Sequence, residues 1–502
     1  MKFARCYAFI LAGLLTVGGL AGCRWDEGVP AETRITLTDD GIQTWGMNAG
    51  TVKVTNDIIY YEDRTEYESG NPYGEGGTED RHTAEEAAAH AVINITEAGT
   101  YRLTGKLSAG QVRVDLGREA REDPEAVVTL VLDGADLSCS VAPAILFLNV
   151  YECDNDWSED TAGKDVDTSA AGANLKLEAN SVNVINGSYV ARIYKDAEGE
   201  KKLWKQDGAI YSYMSMNVDG LGQLTVNAEN EGLDTELHLT INGGRIDILA
   251  QNDGINTNED GVSVTTINDG DLRIIAGLGQ EGDGIDSNGW LVINGGKVFA
   301  SAHPASDAGL DSDMGSYING GQVWAFGSAM DWAESDSGQV AINLQLAQGI
   351  RAKSLLTVRD GQGNEALYAP RAVDESDPTA GRVYRGVILS DPALKQGEIY
   401  TVWVDGVQQG YTGTDVMRGP GGFGGRPGGK KPPFPEGERP EPPRGEMPPF
   451  PQGEEPTFDV DKMPTFGGPL PSEQQNGAQR PVSTEFYMQD MVNFFSGVTA
   501  VQ

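Results

Sequence analysis

Between residues 231 and 328, apolar positions alternate with polar ones in short runs such as Leu237-His238-Leu239-Thr240-Ile241, Val298-Phe299-Ala300 and Val323-Trp324-Ala325. That is the period of strands, not of helices. A corner phrase recurs among the runs: Ile241-Asn242-Gly243-Gly244, Ile267-Asn268-Asp269-Gly270, Ile293-Asn294-Gly295-Gly296 and Ile318-Asn319-Gly320-Gly321, with steps of 26, 26 and 25 residues. The corner calls for positive φ, which Gly adopts without steric cost. A period near 25 is too short for a propeller blade or a paired-helix repeat. It predicts a solenoid whose repeats bury their apolar faces only by stacking. The expected fold is all-β: a right-handed parallel β-helix with two or three short strands per coil.

The pattern thins on either side. Near-continuous apolar runs at 127–132 and 144–150 read as strands buried on both faces. After Gly327 the paired phrases stop, and the apolar runs are joined by hairpin-like turns at Asp360-Gly361 and Asp405-Gly406. A small antiparallel cap is expected there, hiding the last edge of the solenoid. The chain therefore divides into a leader (1–22), a tether (23–34), N-terminal strands and a loop (35–92), the β-helix (93–336), the cap (337–417), a Pro/Gly/Glu-rich excursion (418–479) and a terminal strand (480–502). The excursion is too poor in apolar residues to order itself, whereas Phe486, Tyr487, Met488, Met491, Val492, Phe494 and Phe495 predict a segment that returns to pair with the cap.

The leader carries Lys2 and Arg5, an apolar run from Tyr7 to Leu20, and then Leu20-Ala21-Gly22-Cys23, which resembles a bacterial lipobox. Cys23 is the expected lipidation site, so the chain is expected outside the cytoplasm, lipid-anchored to the bacterial membrane at the cell surface. Removing Lys2 and Arg5 with the leader leaves 35 Lys+Arg against 75 Asp+Glu, a formal charge of −40. Such a surface repels nucleic acid and anionic headgroups and attracts divalent cations. Cys139 and Cys153 remain, either as a disulfide favoured by an oxidising compartment or as two buried thiols.

A second, acidic phrase alternates with the corners: Glu231-Gly232-Leu233-Asp234, Asn252-Asp253-Gly254-Ile255-Asn256, Gly282-Asp283-Gly284-Ile285-Asp286, and Asp307-Ala308-Gly309-Leu310-Asp311. Gln206-Asp207-Gly208-Ala209-Ile210 is a degenerate earlier copy. Coils stack about 4.8 Å apart, so equivalent residues form rows. Unit charges at that spacing repel by roughly 1 to 3.5 kcal/mol, which disfavours a rigid row of carboxylates unless a cation fills it. Calcium takes six to eight oxygens from carboxylates, amides, carbonyls and water. The expected Ca2+ ligands are Asp234, Asp253, Asn256, Asp283, Asp286, Asp307 and Asp311. Against this stands the plainer reading that Asp-Gly and Asn-Gly are turn formers with solvated carboxylates.

With these phrases, the lipobox and the upstream Thr96-Glu97-Ala98-Gly99-Thr100-Tyr101-Arg102-Leu103-Thr104-Gly105, the chain resembles a family of bacterial surface carbohydrate-binding β-helix lipoproteins over residues 93–404. The family is distantly similar to the family 9 polysaccharide lyases. The resemblance implies calcium held by Asp clusters and an acidic polysaccharide partner such as polygalacturonate. It leaves in doubt the copies at Asp207 and Glu231, which depart from the pattern. Three functions stay open: binding, with Trp290, Trp324 or Trp332 stacking on sugar rings; a calcium-dependent lyase, with Lys297 a weak candidate base; or an adhesion module that calcium only stiffens. Binding is the leading expectation, because no companion for Lys297 recurs. His82 and His90 read as surface residues, and His238 and His303 as lacking a catalytic partner.

Overall fold

The computed structural model describes residues 32–61, 80–154, 158–194, 203–305, 307–328, 331–414 and 482–501. The lipobox with Cys23, and the whole of the Pro-rich excursion at 418–479, lie outside them. The described chain is nearly all β, and its one α-helix is the five-residue Ala84–Ala88, closed at its start by a Thr83/Glu86 capping box.

The repeats stack in parallel register along three ladders. One runs through Val182–Gly187, Gln223–Ala228, Arg245–Ala250, Asp271–Ile275, Lys297–Ser301 and Gln322–Gly327. A second runs through Ala173–Leu177, Met216–Gly220, Leu239–Ile241, Val264–Ile267, Trp290–Ile293 and Gly315–Ile318. The third joins Ala91–Ile95, Gly110–Asp115, Ile145–Asn149, Gly208–Ser212, Glu231–Thr235 and Ile255–Thr257. Single bridges from Ile255 to Ile285 and from Ile285 to Leu310 carry it further.

The recurring corner phrase splits its work between inside and outside. Ile241, Ile267, Ile293 and Ile318 pair with one another and are fully buried in a continuous apolar core. The next residues form an outer ladder of amides, Asn268 Nδ2 donating to Asn242, Asn294 to Asn268 and Asn319 to Asn294 at 2.8, 2.9 and 2.9 Å. At the end of the phrase, Gly244, Gly270, Gly296 and Gly321 take φ of 94°, 120°, 76° and 81°, values that a side chain adopts only with strain. Ile293→Ala should therefore cost about 2 to 5 kcal/mol, since a mid-column cavity is walled by rigid strands on both sides; denaturant unfolding of the two proteins measures it.

The last repeat strand, Gln322–Gly327, pairs antiparallel with Val383–Ser390, which in turn pairs with Ala341–Arg351. Leu356–Asp360, Glu365–Ala369 and Ile399–Val404 extend this C-terminal part as an antiparallel sheet over a separate core. Phe486–Tyr487 and Val492–Ala500 dock there, on Ile399–Val404 and on Ala341–Arg351 respectively.

Candidate functional site

The acidic phrases fall on the third ladder, in two rows. Asp234 is in register with Asn256, and the bridges through Ile255, Ile285 and Leu310 place Asp286 and Asp311 next in line. A second row, three residues earlier in each phrase, follows from amides of successive coils. Gly232 N donates to Asp253 O, Gly254 N to Asp283 O and Gly284 N to Ala308 O. Glu231, Asp253 and Asp283 therefore follow one another. Asp307 does not join them: it stands one step earlier, with Gly282 N donating to its Oδ2 at 3.0 Å. Its phrase has one more residue between the two acids, Asp307 to Asp311 against Asp283 to Asp286, and this shifts Asp307 out of the row.

Strands hold these carboxylates on neighbouring coils, with Asp253 buried and Asp283, Asp286 and Asp311 half-buried. Burial pushes the Asp283 carboxyl up to about 9, reinforced by Asp311 and Asp253, and outweighs the amide of Ala308, which donates to Asp283 Oδ1 at 2.5 Å. Burial likewise raises Asp286 to about 8, with Asp253 and Asp311 adding to it, and raises Asp253 to about 7. Asp311 moves up for the same reason. Asp331 extends the group and is raised to about 7 by burial and by Asp311, although the hydroxyls of Ser312 and Ser316 donate to it. Asp331 lies outside every recurring phrase, so the repeat gave no sign of it. Burial is the first cause of each shift and neighbouring carboxylates add to it, so ionising the row where it stands is costly.

Three ligand oxygens gather most tightly where the phrases are most degenerate. Asp207, Glu231 and Asp234 each offer a carboxylate oxygen within 4.8 Å of the others. Glu231 and Asp234 are buried and raised well above the usual carboxylate range, Glu231 by burial and then by Asp234 and Asp207, and Asp234 by burial and then by Asp207. Lys205 serves as the internal counter-ion, with Nζ 2.7 Å from Asp207 Oδ2 and 3.1 Å from Asn258 Oδ1. Asn258 Nδ2 donates to Asp234 Oδ1 at 2.5 Å, and Asn256 Nδ2 donates to Glu231 Oε2 at 3.3 Å. Two buried oxygens here, Asp234 Oδ2 and Asn256 Oδ1, have no hydrogen-bond donor. Orphaned oxygens beside clustered carboxylates fit a hard cation. Asp207 and Glu231, the copies that depart from the pattern, are thus the ones gathered with Asp234, while Lys205 and Asn258 carried no repeat signal at all.

Other expected residues stand elsewhere. Lys297 is exposed on the first ladder, in a row with Arg245, Asp271 and Gln322, and is not brought to the acidic rows. Trp290 and Trp324 are buried, contrary to a stacking role: Trp290 packs on Val264 and Val292 with Ala162 and Val166 lying against them, and Trp324 sits in the C-terminal core. Trp332 is half-buried, edge-on to Phe494 at 4.8 Å. His90 is buried, not on the surface, with Nδ1 2.8 Å from Glu86 O and Nε2 3.2 Å from Ser140 Oγ. His238 does face an acid, with Nε2 3.3 Å from Asp154 Oδ2, and its Nδ1 accepts from Val264 N. Both Cys139 and Cys153 are free thiols. Cys139 is sealed in the repeat core and Cys153 turns to Glu152, and burial pushes each thiol up to about 12.

A family model described as "Carbohydrate-binding domain-containing protein" matches residues 89–369, more than half of the 502 residues. A protein of Acetivibrio thermocellus with the same description is 30% identical over 159 residues, 32% of this chain. The chain spans 45% of that relative's length. Among solved structures, the gadolinium derivative of the polysaccharide lyase-like protein from C. thermocellum is 20% identical, with 58% of this chain and 92% of that one covered at a TM-score of 0.34.

Proposed function

Because the chain belongs to the family of carbohydrate-binding domain-containing proteins, we propose that it is a surface lipoprotein that holds acidic polysaccharide of the polygalacturonate kind through calcium on its acidic rows. In this reading the three parallel ladders wind as a right-handed β-helix, the antiparallel sheet caps it, and Cys23 carries the lipid anchor. The observation that carries the proposal is the in-register carboxylate group, Asp253 buried and Asp283, Asp286 and Asp311 half-buried, whose raised proton affinity marks negative charge that is costly where it stands. Asp253, Asp283, Asp286 and Asp311, and separately Asp207, Glu231 and Asp234, would hold the ions. Bound calcium would supply positive charge able to accept further carboxylate oxygens from a uronate chain.

A lyase reading is favoured by one observation, the lysine already seated at a carboxylate group, which is Lys205 and not Lys297. Proton abstraction needs a neutral amine. Although burial alone would lower the Lys205 amine, Asp207, Glu231 and Asp234 together push it above its ordinary value, so it stays charged at neutral pH. Binding without turnover follows. Incubation with polygalacturonate and calcium, read for depletion from solution and for absorbance of unsaturated product, tests both. Retention lost in chelator or in Asp283→Ala, without new absorbance, is the expected result; unsaturated product abolished by Lys205→Ala would establish the lyase instead.

A further inference from the structure

The C-terminal antiparallel sheet has one face on its core and one in water. Tyr400, Val402, Leu356, Val358, Leu367 and Phe486 point inward. By the usual alternation the other face should be polar, yet it carries rings. Tyr368 and Trp403 both pair with Thr357, from opposite sides, so the three share a face, and Tyr487 pairs with Ile399, four residues along the strand from Trp403. Tyr368 and Tyr487 are 52% and 48% exposed, values that leave a ring face open to a ligand. Two strand spacings put Tyr368 about 10 Å from Trp403, and four residues put the Tyr487 row about 13 Å further along the strand direction. Trp403 is held in place: its Nε1 donates to Thr401 Oγ1 at 2.9 Å, and the Arg359 guanidinium stacks 4.6 Å from its ring centroid. Arg359 Nε is buried with no acceptor.

We propose that this sheet face is a second glycan-binding site, taking a neutral polysaccharide chain along Tyr368, Trp403 and Tyr487 without calcium. Widely spaced, strand-fixed rings match the flat C–H faces of successive sugars in an extended chain, and Arg359 supplies donors for hydroxyl oxygens. Charge selects against a uronate chain here. Among the described residues of these strands the one cation is Arg359, which is shared with Glu365 at 3.8 Å, and exposed Glu398 and Glu485 flank the strands that carry Ile399 and Tyr487. Trp403 and Tyr487 lie beyond the residues 89–369 matched by the family model, whereas Arg359, Glu365 and Tyr368 lie at the end of that match, so the face straddles its boundary.

Native affinity electrophoresis of the full chain in chelator, with hydroxyethylcellulose or polygalacturonate cast in the gel, tests it. Hydroxyethylcellulose should retard the protein. Tyr368→Ala and Tyr487→Ala, both at exposed rings and so harmless to folding, should each weaken retardation by about tenfold. Trp403→Ala should abolish it with circular dichroism unchanged. Retardation is read in chelator, where the calcium-dependent site is already disabled, so failure of that site and failure of this one are separately visible. No retardation by the neutral glycan, or retardation by polygalacturonate alone, overturns the proposal. So does a dimer in size exclusion that Tyr487→Ala dissociates, because the face would then be an interface between copies.

Discussion

Stripped of divalent cations, the protein should lose stability steadily as pH rises from 5 to 9, and calcium should remove most of that slope. The sign follows from the carboxyls of Asp253, Asp286 and Asp283, raised by burial and mutual repulsion to about 7, 8 and 9. In the unfolded chain they titrate near 4, so between that value and the folded ones the native state binds more protons than the unfolded state. Their stability is fully present below about pH 4 and is lost as pH rises through 7 to 9. A single group displaced by three units accounts for on the order of 4 kcal/mol at the alkaline end. Most proteins with paired carboxylates behave oppositely, gaining stability as pH rises above the acid range, so the direction alone is diagnostic. Thermal melts across pH, with chelator and with calcium, give the comparison. Asp283→Ala sharpens it: at pH 9 the substitution should raise the melting temperature in chelator and lower it in calcium. A melting temperature independent of chelator at every pH would remove calcium from the account.

What was legible beforehand was whatever the repeat repeated. The Ile-Asn-Gly-Gly corner recurs because each copy must put one side chain inside, one amide outside and one positive-φ glycine at the bend, and those demands are local. The rows of Asp234, Asn256, Asp286 and Asp311 were readable for the same reason. Legibility failed where partners come from different coils. Lys205, Asp207, Glu231 and Asn258 meet only because strands two coils apart converge, and no spacing rule announces that. The tryptophans misled for a related reason. An alternating strand shows which face a residue shares but not what lies over that face, and Trp290 is covered by the segment at Ala162 and Val166, from well over a hundred residues earlier. Asp307 was misplaced by a single extra residue within its own phrase, enough in a ladder to move a carboxylate out of its row.

Removing residues 482–501 should unfold the C-terminal sheet, the largest effect expected of any change outside the acidic rows. Val492–Ala500 runs parallel to Ala341–Arg351 and satisfies that strand's second edge. Phe486, Met488, Phe495 and Val498 are at most 3% exposed, and Val492 is 7% exposed. Burial of each large side chain contributes about 1.5 to 3 kcal/mol, so together they supply on the order of 10 kcal/mol as an upper bound, comparable with the whole stability of an ordinary domain. The rings also lock to one another: Phe486, Phe495 and Tyr411 lie with centroids 4.7 to 4.9 Å apart. The excursion that precedes this segment should matter far less. Its ends meet where Tyr411 and Ser483 exchange backbone hydrogen bonds of 2.8 and 3.0 Å, so a short link can replace residues 418–479 without moving either strand. Loop closure changes by only about 0.6 kcal/mol per doubling of length, and the shorter link should be neutral or slightly stabilising. Limited proteolysis and chemical denaturation of the two deletions provide the measurement. A chain lacking 482–501 that unfolds with the same midpoint as the parent would show that these strands contribute nothing to the sheet they complete.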